Sequence, residues 1–204
     1  MIAKNLDNIN LEEFPVVIFG SGPAGLTTAL ELEKKKIKCL VIEAGEEDYS
    51  KVSQNFYKGK VIGDHLTDIS NSRLRQFGGT SGHWGGWCKP LEYYSFDNWV
   101  LKANDLENYK NQACEILNIK NQFRRSRLND YFNQIEFQYS KVRFAEKYKN
   151  HIKNSKNIHL VLNTHLSHFE GENKAVDKAV CISKKTLIKI KSKYFILACG
   201  GIEN

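Results

Sequence analysis

Two clusters of glycine stand about sixty residues apart in this 204-residue chain. The first, Gly20-Ser-Gly22-Pro23-Ala24-Gly25, follows the apolar run Val16–Phe19 and opens a helical pattern that carries Leu26, Ala29 and Leu30 on one side. A glycine at position 20 permits a tight bend, one at 22 lets an anion approach the backbone with no Cβ in the way, and one at 25 lets helix and strand pack closely. The helix N-terminus that begins at Pro23 and Ala24 would carry about half a positive charge and free N–H groups, which suits a diphosphate. A second apolar run, Lys38 to Glu43, ends in an acid 21 residues past Gly22, where a carboxylate can accept hydrogen bonds from ribose hydroxyls. The bland alternative is a fortuitous glycine turn with a solvated acid at a strand end. Strand, turn, helix, strand and acid in the required order argue against it.

The second cluster, Arg73-Leu-Arg75-Gln-Phe-Gly78-Gly79-Thr80-Ser81-Gly82-His83-Trp84-Gly85-Gly86, is too glycine-dense for an ordinary core element. Taken with the first it reads as one flavin adenine dinucleotide (FAD) site, the first loop holding the pyrophosphate and the second lying by the flavin. Neither a signalling module nor a structural protein needs that arrangement.

The elements that must position these loops are legible in part. Val16–Phe19 suits a buried parallel strand, and Ala24–Lys36 a helix of about three turns. Asn104-Asp105 reads as a capping pair for one helix over 105–117, with Leu106, Tyr109, Ala113, Ile116 and Leu117 at helical spacing. Residues 118–140 are polar, without a firm period. Val142, Ala145, Tyr148 and Ile152 predict another helix, and Ile158–Asn163 a strand. Short runs at 166–169, 179–182 and 187–190 predict an antiparallel meander, with Gly171-Glu-Asn at one turn, and Tyr194–Cys199 reads as a last buried strand ending at Gly200-Gly201. The fold class is therefore α/β: a Rossmann-like FAD-binding domain with a parallel sheet plus a small antiparallel β-meander. The expected division is an FAD-binding part over 1–103, a helical, loop-rich excursion over 104–157, and a return over 158–204 that is truncated at Asn204.

Composition narrows the class. Residues 1–100 carry 11 Lys plus Arg against 13 Asp plus Glu and residues 101–204 carry 19 against 10, so the halves are −2 and +9. The lysines are scattered, with no dense cluster or aromatic-interleaved stripe, which reads as a solvated surface and not as a nucleic-acid face. Five cysteines at 39, 88, 114, 181 and 199 form no CxxC pair, which argues for a reducing compartment and against a zinc site or disulfide framework. No signal-peptide or transmembrane run is present, and a cytoplasmic protein is the expectation. His165 and His168 have HxxH spacing, but on a regular strand they would face opposite sides, so no metal site is expected. Cys199 has no adjacent base and reads as a small buried residue instead of a nucleophile.

Gly20–Gly25, Val-Ile-Glu43-Ala44-Gly45, Arg75-Gln-Phe-Gly-Gly-Thr-Ser81 and Phe195-Ile-Leu-Ala-Cys-Gly200-Gly-Ile-Glu-Asn204 together resemble the glucose-methanol-choline family of flavin oxidoreductases, in that family's order. The continuation Gly82-His83-Trp84-Gly85-Gly86 is most similar to sugar-dehydrogenase-like and pyranose-oxidase-like members. The resemblance implies hydride transfer from an alcohol or sugar CH–OH carbon to flavin N5, with a histidine base taking the hydroxyl proton and an unidentified electron acceptor. It implies that Gly20, Gly22 and Ala24 face the pyrophosphate, Glu43 the ribose, and Arg75, Gly79, Thr80 and Gly85 the flavin and phosphates. His165 or Leu166 would offer backbone to adenine, and Gly200 would return the chain to the cofactor. At His83 some relatives carry a histidine bonded to the flavin 8α carbon; a hydrogen bond to phosphate or backbone is the alternative there. Trp84, where the family often has asparagine, and Trp87 would either cover the flavin or pack as core.

Family members are longer, and their histidine base lies in a C-terminal segment that this sequence lacks. None of His65, His151, His159, His165 and His168 is a stand-in for it. The substrate domain is thus expected to be largely missing, supplied in cis or in trans, and the 204-residue chain alone to be inactive. The other readings are a non-catalytic FAD-binding fragment and a flavoprotein reduced by NAD(P)H; the last would need a second GxGxxG on a strand–helix turn.

Overall fold

The computed structural model describes residues 1–63, 68–173 and 175–204; His65 lies outside the described residues. The chain forms two compact units, residues 1–83 with 143–204, and residues 84–142. The first unit therefore takes in helix 144–154, which the sequence division assigned to the excursion.

In chain order the first unit contains β1 (Ile2–Ala3), β2 (Val16–Phe19), α1 (Pro23–Lys34), β3 (Cys39–Ile42) and α2 (Lys51–Gln54). The second contains β4 (Trp87–Cys88), α3 (Ala103–Glu107), α4 (Lys110–Ile116), β5 (Arg125–Arg127), β6 (Asn133–Ile135) and β7 (Gln138–Tyr139). The chain then re-enters the first unit with α5 (Phe144–Asn154), β8 (Ile158–Val161), β9 (Thr164–Glu170), β10 (Lys178–Ser183), β11 (Thr186–Lys191) and β12 (Tyr194–Leu197).

Five strands make a parallel sheet in the order β1-β8-β3-β2-β12. Phe19 is level with Ile42 and Leu197, and Ile42 with Val161, so the strands end in register and present Gly20, Glu43 and Ala198 along one edge. Val16–Phe19 and Cys39–Ile42 are apolar at every position because both faces of these strands are covered. Val17, Phe19, Leu40, Ile42 and Val161 pack with Ala179, Cys181 and Ile190 of the meander, while α1 buries Leu26 and Ala29. Each fully buried Leu or Ile contributes about 1.5–3 kcal/mol relative to exposure. Burial drives the Cys39 and Cys181 thiols up to about 12, so they are inert core residues.

β12 departs from the buried strand expected at 194–199. Among the described residues it pairs only with β2, and Tyr194 and Leu197 are 56% and 43% exposed. A strand at the sheet edge keeps an apolar sequence on the side its neighbour covers and leaves the other side open.

The meander is the antiparallel sheet β11-β10-β9. A bulge between Val180 and Cys181 shifts its register, so that Val180 faces His168 whereas Ile182 faces His165. The two histidines therefore share one face, against the expectation from simple alternation; the extra residue, Ser167, removes the half-step. Ser183 pairs with Thr186 across a two-residue turn in which Lys184 and Lys185 both have positive φ, 50° and 67°.

In the second unit the single helix expected over 105–117 is two, with a break at Asn108-Tyr109. Asp105 is not the cap: its carboxylate accepts the Lys102 N–H at 2.8 Å from the third helical position, which starts the helix two residues earlier. The stretch without a period holds one small hairpin, β5 with β6, and its strand β7 pairs antiparallel with the distant β4. Gly86, at φ 76°, allows β4 to approach β7 so closely that a Cβ would lie 2.1 Å from the Ser140 carbonyl oxygen. Trp84 donates its indole N–H to Val142 O at 2.8 Å, and Trp87, 67% exposed, packs on Tyr139.

Candidate functional site

At the C-terminal edge of the parallel sheet lies a cavity of about 790 Å³ formed within the first unit, inside the ~300–1,000 Å³ range of small-molecule sites. Ligands of open parallel sheets bind at this edge. The first glycine loop contributes Gly20, Gly22, Pro23 and Ala24; the end of β3 contributes Glu43 and Ala44; the second glycine loop contributes Arg75, Gly79 and Thr80. His165 and Leu166 of β9 and Gly200 after β12 complete the set of expected residues on its wall.

Gly20 has φ 101°, and a Cβ there would stand 2.3 Å from the Ala198 oxygen, so the turn between β2 and α1 requires glycine. Gly22 is the N-cap of α1, with extended backbone at φ −70° and ψ −176°. A Cβ on it would meet nothing nearer than Gly79 Cα at 4.0 Å: the space in front of the helix N-terminus is open to a ligand. Gly25 is not on the cavity wall. A Cβ there would fall 1.9 Å from Gly20 O, so its absence is a packing requirement.

His83 and Gly85 are also off this wall. His83 is exposed, at the end of a short 3₁₀ turn over Gly79–Gly82, with its N–H donated to Thr80 O at 3.2 Å. Gly85 belongs to the second unit, where a Cβ would touch Trp87. Cys199 lines the cavity, but burial pushes its thiol up and its sulfur bonds Phe19 O at 3.4 Å, which suits packing and not nucleophilic attack.

Glu43 is 6% exposed and is engaged internally. Oε2 accepts from Ser21 N–H (3.0 Å) and Ser21 Oγ (2.6 Å), and Oε1 accepts from Gly45 N–H (2.8 Å). A carboxylate offers about four lone-pair positions, so one remains for a ribose hydroxyl.

Several wall residues lie outside the sequence motifs. Phe56 and Tyr57, in a 3₁₀ turn after α2, stack under two guanidinium groups: Arg75 is 4.4 Å from the Phe56 ring centre and Arg73 3.9 Å from that of Tyr57. The Gln54 side chain holds the arginine segment, donating to Ser70 O and Arg73 O at 2.6 Å and accepting the Arg75 N–H at 3.1 Å. The i, i+2 spacing of the two arginines was the available signal for a shared face; the aromatic turn left none. Arg75 is only 9% exposed, and its side chain bonds Ser53 Oγ at 2.9 Å. Burial lowers its pKa, opposed by the Glu43 charge. Burial, reinforced by Arg75, pulls the His165 imidazole below its ordinary value, and burial raises the Tyr57 phenol.

A helix N-terminus open to an anion, a buried guanidinium on the same wall, and a carboxylate at the end of β3 fit a dinucleotide carrying a pyrophosphate and a ribose. Residues 13–64, which include the first glycine loop and Glu43, match the model of the FAD binding domain. The cofactor is FAD. No curated protein matches the chain in sequence. In fold it is similar to pyridoxine 4-oxidase from Mesorbium loti, with 14% identity and a TM-score of 0.63 over 93% of this chain and 50% of that one. It is likewise similar to a fungal aryl-alcohol oxidase, with 13% identity and a TM-score of 0.55 over 92% of this chain and 46% of that one. The chain spans about half the length of these structures. Among the described residues no helix is long and apolar enough to cross a membrane, and no group of three or more His, Cys, Asp or Glu is placed to hold a metal ion.

Proposed function

We propose that this chain is the FAD-binding, N-terminal part of an oxidoreductase of the glucose-methanol-choline type acting on the CH–OH group of an alcohol or sugar. The observation that carries the reading is the convergence of two glycine loops distant in sequence on one cavity at a helix N-terminus. The two similar solved structures, a pyridoxine oxidase and an aryl-alcohol oxidase, support this choice of substrate class by their own names.

FAD supplies, when bound, a two-electron acceptor for hydride at flavin N5. The residues of this chain bind and orient. The backbone N–H groups at the start of α1 and the Arg75 guanidinium hold the pyrophosphate, the free lone pair of Glu43 accepts from the adenosine ribose, and the β9 backbone at His165-Leu166 meets adenine. The histidine base, in this proposal, belongs to sequence outside the chain.

The test is titration of the protein with FAD and with flavin mononucleotide. FAD is expected to bind in preference, and Gly22→Val to abolish that preference by crowding the pyrophosphate. Normal flavin absorbance retained by the variant would refute the site.

A further inference from the structure

The second residue of the first glycine motif lies between the two loops. Ser21 is fully buried, and its hydroxyl donates to Glu43 Oε2 at 2.6 Å while accepting the Gly78 N–H at 3.3 Å. Its own N–H donates to the same Glu43 oxygen, at 3.0 Å. Glu43 also accepts the Gly45 N–H in the turn after β3, and Gly45 packs directly on the backbone of Arg75 in the second glycine loop, where a Cβ would lie 2.1 Å from the carbonyl oxygen. One hydroxyl and one carboxylate thus join the segments 20–22, 43–45 and 75–79, which together make much of the cavity wall. The two loops touch where the pyrophosphate is expected: a Cβ on Gly79 would come within 2.9 Å of Gly22 Cα.

We propose that Ser21 is a positioning residue for the dinucleotide, its hydroxyl passing the fixed orientation of the Glu43 carboxylate to the second glycine loop and so setting the gap between Gly22 and Gly79. This rests on the reading of the cavity as an FAD site. The charge-assisted bond to Glu43 is of the stronger kind, and loss of the buried Ser21 hydroxyl would leave Glu43 Oε2 with one donor fewer and the Gly78 N–H without its acceptor. The second loop has further ties, from Phe77 N–H to Glu46 O at 2.9 Å, from Arg75 N–H to Gln54 Oε1 at 3.1 Å and from Phe144 N–H to Ser81 Oγ at 3.1 Å, which hold it to the end of β3, to α2 and to α5 but not to the first loop. Removal of the Ser21 hydroxyl therefore frees the second loop from the first without detaching it from the sheet.

The experiment compares wild type and Ser21→Ala in two measurements on the whole chain. Hydrogen exchange of the apoprotein is expected to quicken in peptides over 76–82 and to stay unchanged over β2. FAD titration is expected to give a Kd raised about tenfold, the scale of one lost hydrogen bond to a buried network. Unchanged exchange over 76–82 together with unchanged affinity would overturn the inference. Weakened binding with unchanged exchange would overturn it too, since the hydroxyl would then act on the cofactor directly. Should wild type fail to take up FAD, the proposed function falls while the exchange data still judge the clamp. If Ser21→Ala does not fold, Ser21→Cys carries the same comparison: its weak S–H donor keeps the shape, and exchange over 76–82 faster than wild type supports the clamp, whereas wild-type exchange rejects it.

Discussion

Three glycines in one motif have different physical tasks. Gly20 is required by its backbone angle, Gly25 by contact with Gly20 O, and Gly22 by the open space before α1. Gly22 differs from Gly20 because its φ of −70° is available to any residue, and from Gly25 because a Cβ there would meet nothing nearer than Gly79 Cα at 4.0 Å. Gly22→Ala is accordingly expected to leave unfolding within about 0.5 kcal/mol of wild type while weakening FAD binding, whereas Gly25→Ala should destabilise the apoprotein by more than about 2 kcal/mol. Chemical denaturation of the apoproteins beside FAD titration separates the two; equal loss of stability in both variants would contradict the assignment. His165 gives a pH test at the same scale. The unfolded chain takes up the imidazole proton near pH ~6.5, but burial and then Arg75 depress the folded value, so the folded chain takes it up only at lower pH. Stability is therefore whole above about pH 6.5 and declines as pH falls toward the folded pKa. His159, lowered by burial and by the N-terminal amine, adds in the same direction. The loss of unfolding free energy between about pH 7.5 and about pH 5.5 is expected to be smaller in His165→Gln than in wild type.

Among the elements, legibility followed the range of the forces involved. β2, α1 and β3 could be read because a doubly covered strand and an amphipathic helix write their burial into consecutive residues. The meander could be read from its alternating runs, but its bulge could not, since the shift at Val180/Cys181 comes from cross-strand pairing and moves His165 and His168 to one face with no mark in the sequence. The edge position of β12 was likewise invisible: Tyr194–Leu197 is as apolar as an interior strand, and only the sheet order shows that it has one neighbour. The aromatic turn at Phe56-Tyr57 packs under Arg75 and Arg73, 19 and 16 residues further along the chain, which the Gln54 side chain holds in place. The β10–β11 turn is a case in which the sequence works against its element. Two-residue hairpins with both φ values positive favour Asn-Gly, and Lys184-Lys185 bears the cost of left-handed backbone on branched-chain-free but Cβ-bearing residues. Lys185→Gly is expected to raise unfolding free energy by about 1 kcal/mol. Lys184 keeps its ion pair with Asp7, and FAD affinity should not change, because neither lysine lines the cavity. A lower thermal midpoint for Lys185→Gly would show that the turn is not strained.

For the whole molecule, the cavity runs from the glycine loops to β9 and thus offers ground for both halves of a dinucleotide, which is why FAD is expected to be preferred to the mononucleotide. The chain spans about half the length of the structures it resembles. Among the described residues, His165 is the one histidine on the cavity wall, and it stands at the β9 end, with its ring beside Phe56 at 6.0 Å and its charged form opposed by Arg75. It is thus poorly suited to take a proton from a substrate hydroxyl at the flavin. General acid–base catalysis typically contributes about 10²- to 10⁴-fold in rate, and a substrate held in place adds further. The FAD-loaded 204-residue chain is therefore expected not to be bleached at an enzyme-like rate by alcohols or aldoses under anaerobic conditions, although dithionite should bleach it fully and so establish that the flavin is reducible. Rapid bleaching by a sugar would mean that this half of the fold carries its own base, and would direct attention to Tyr57, whose phenol lies on the wall over Arg73.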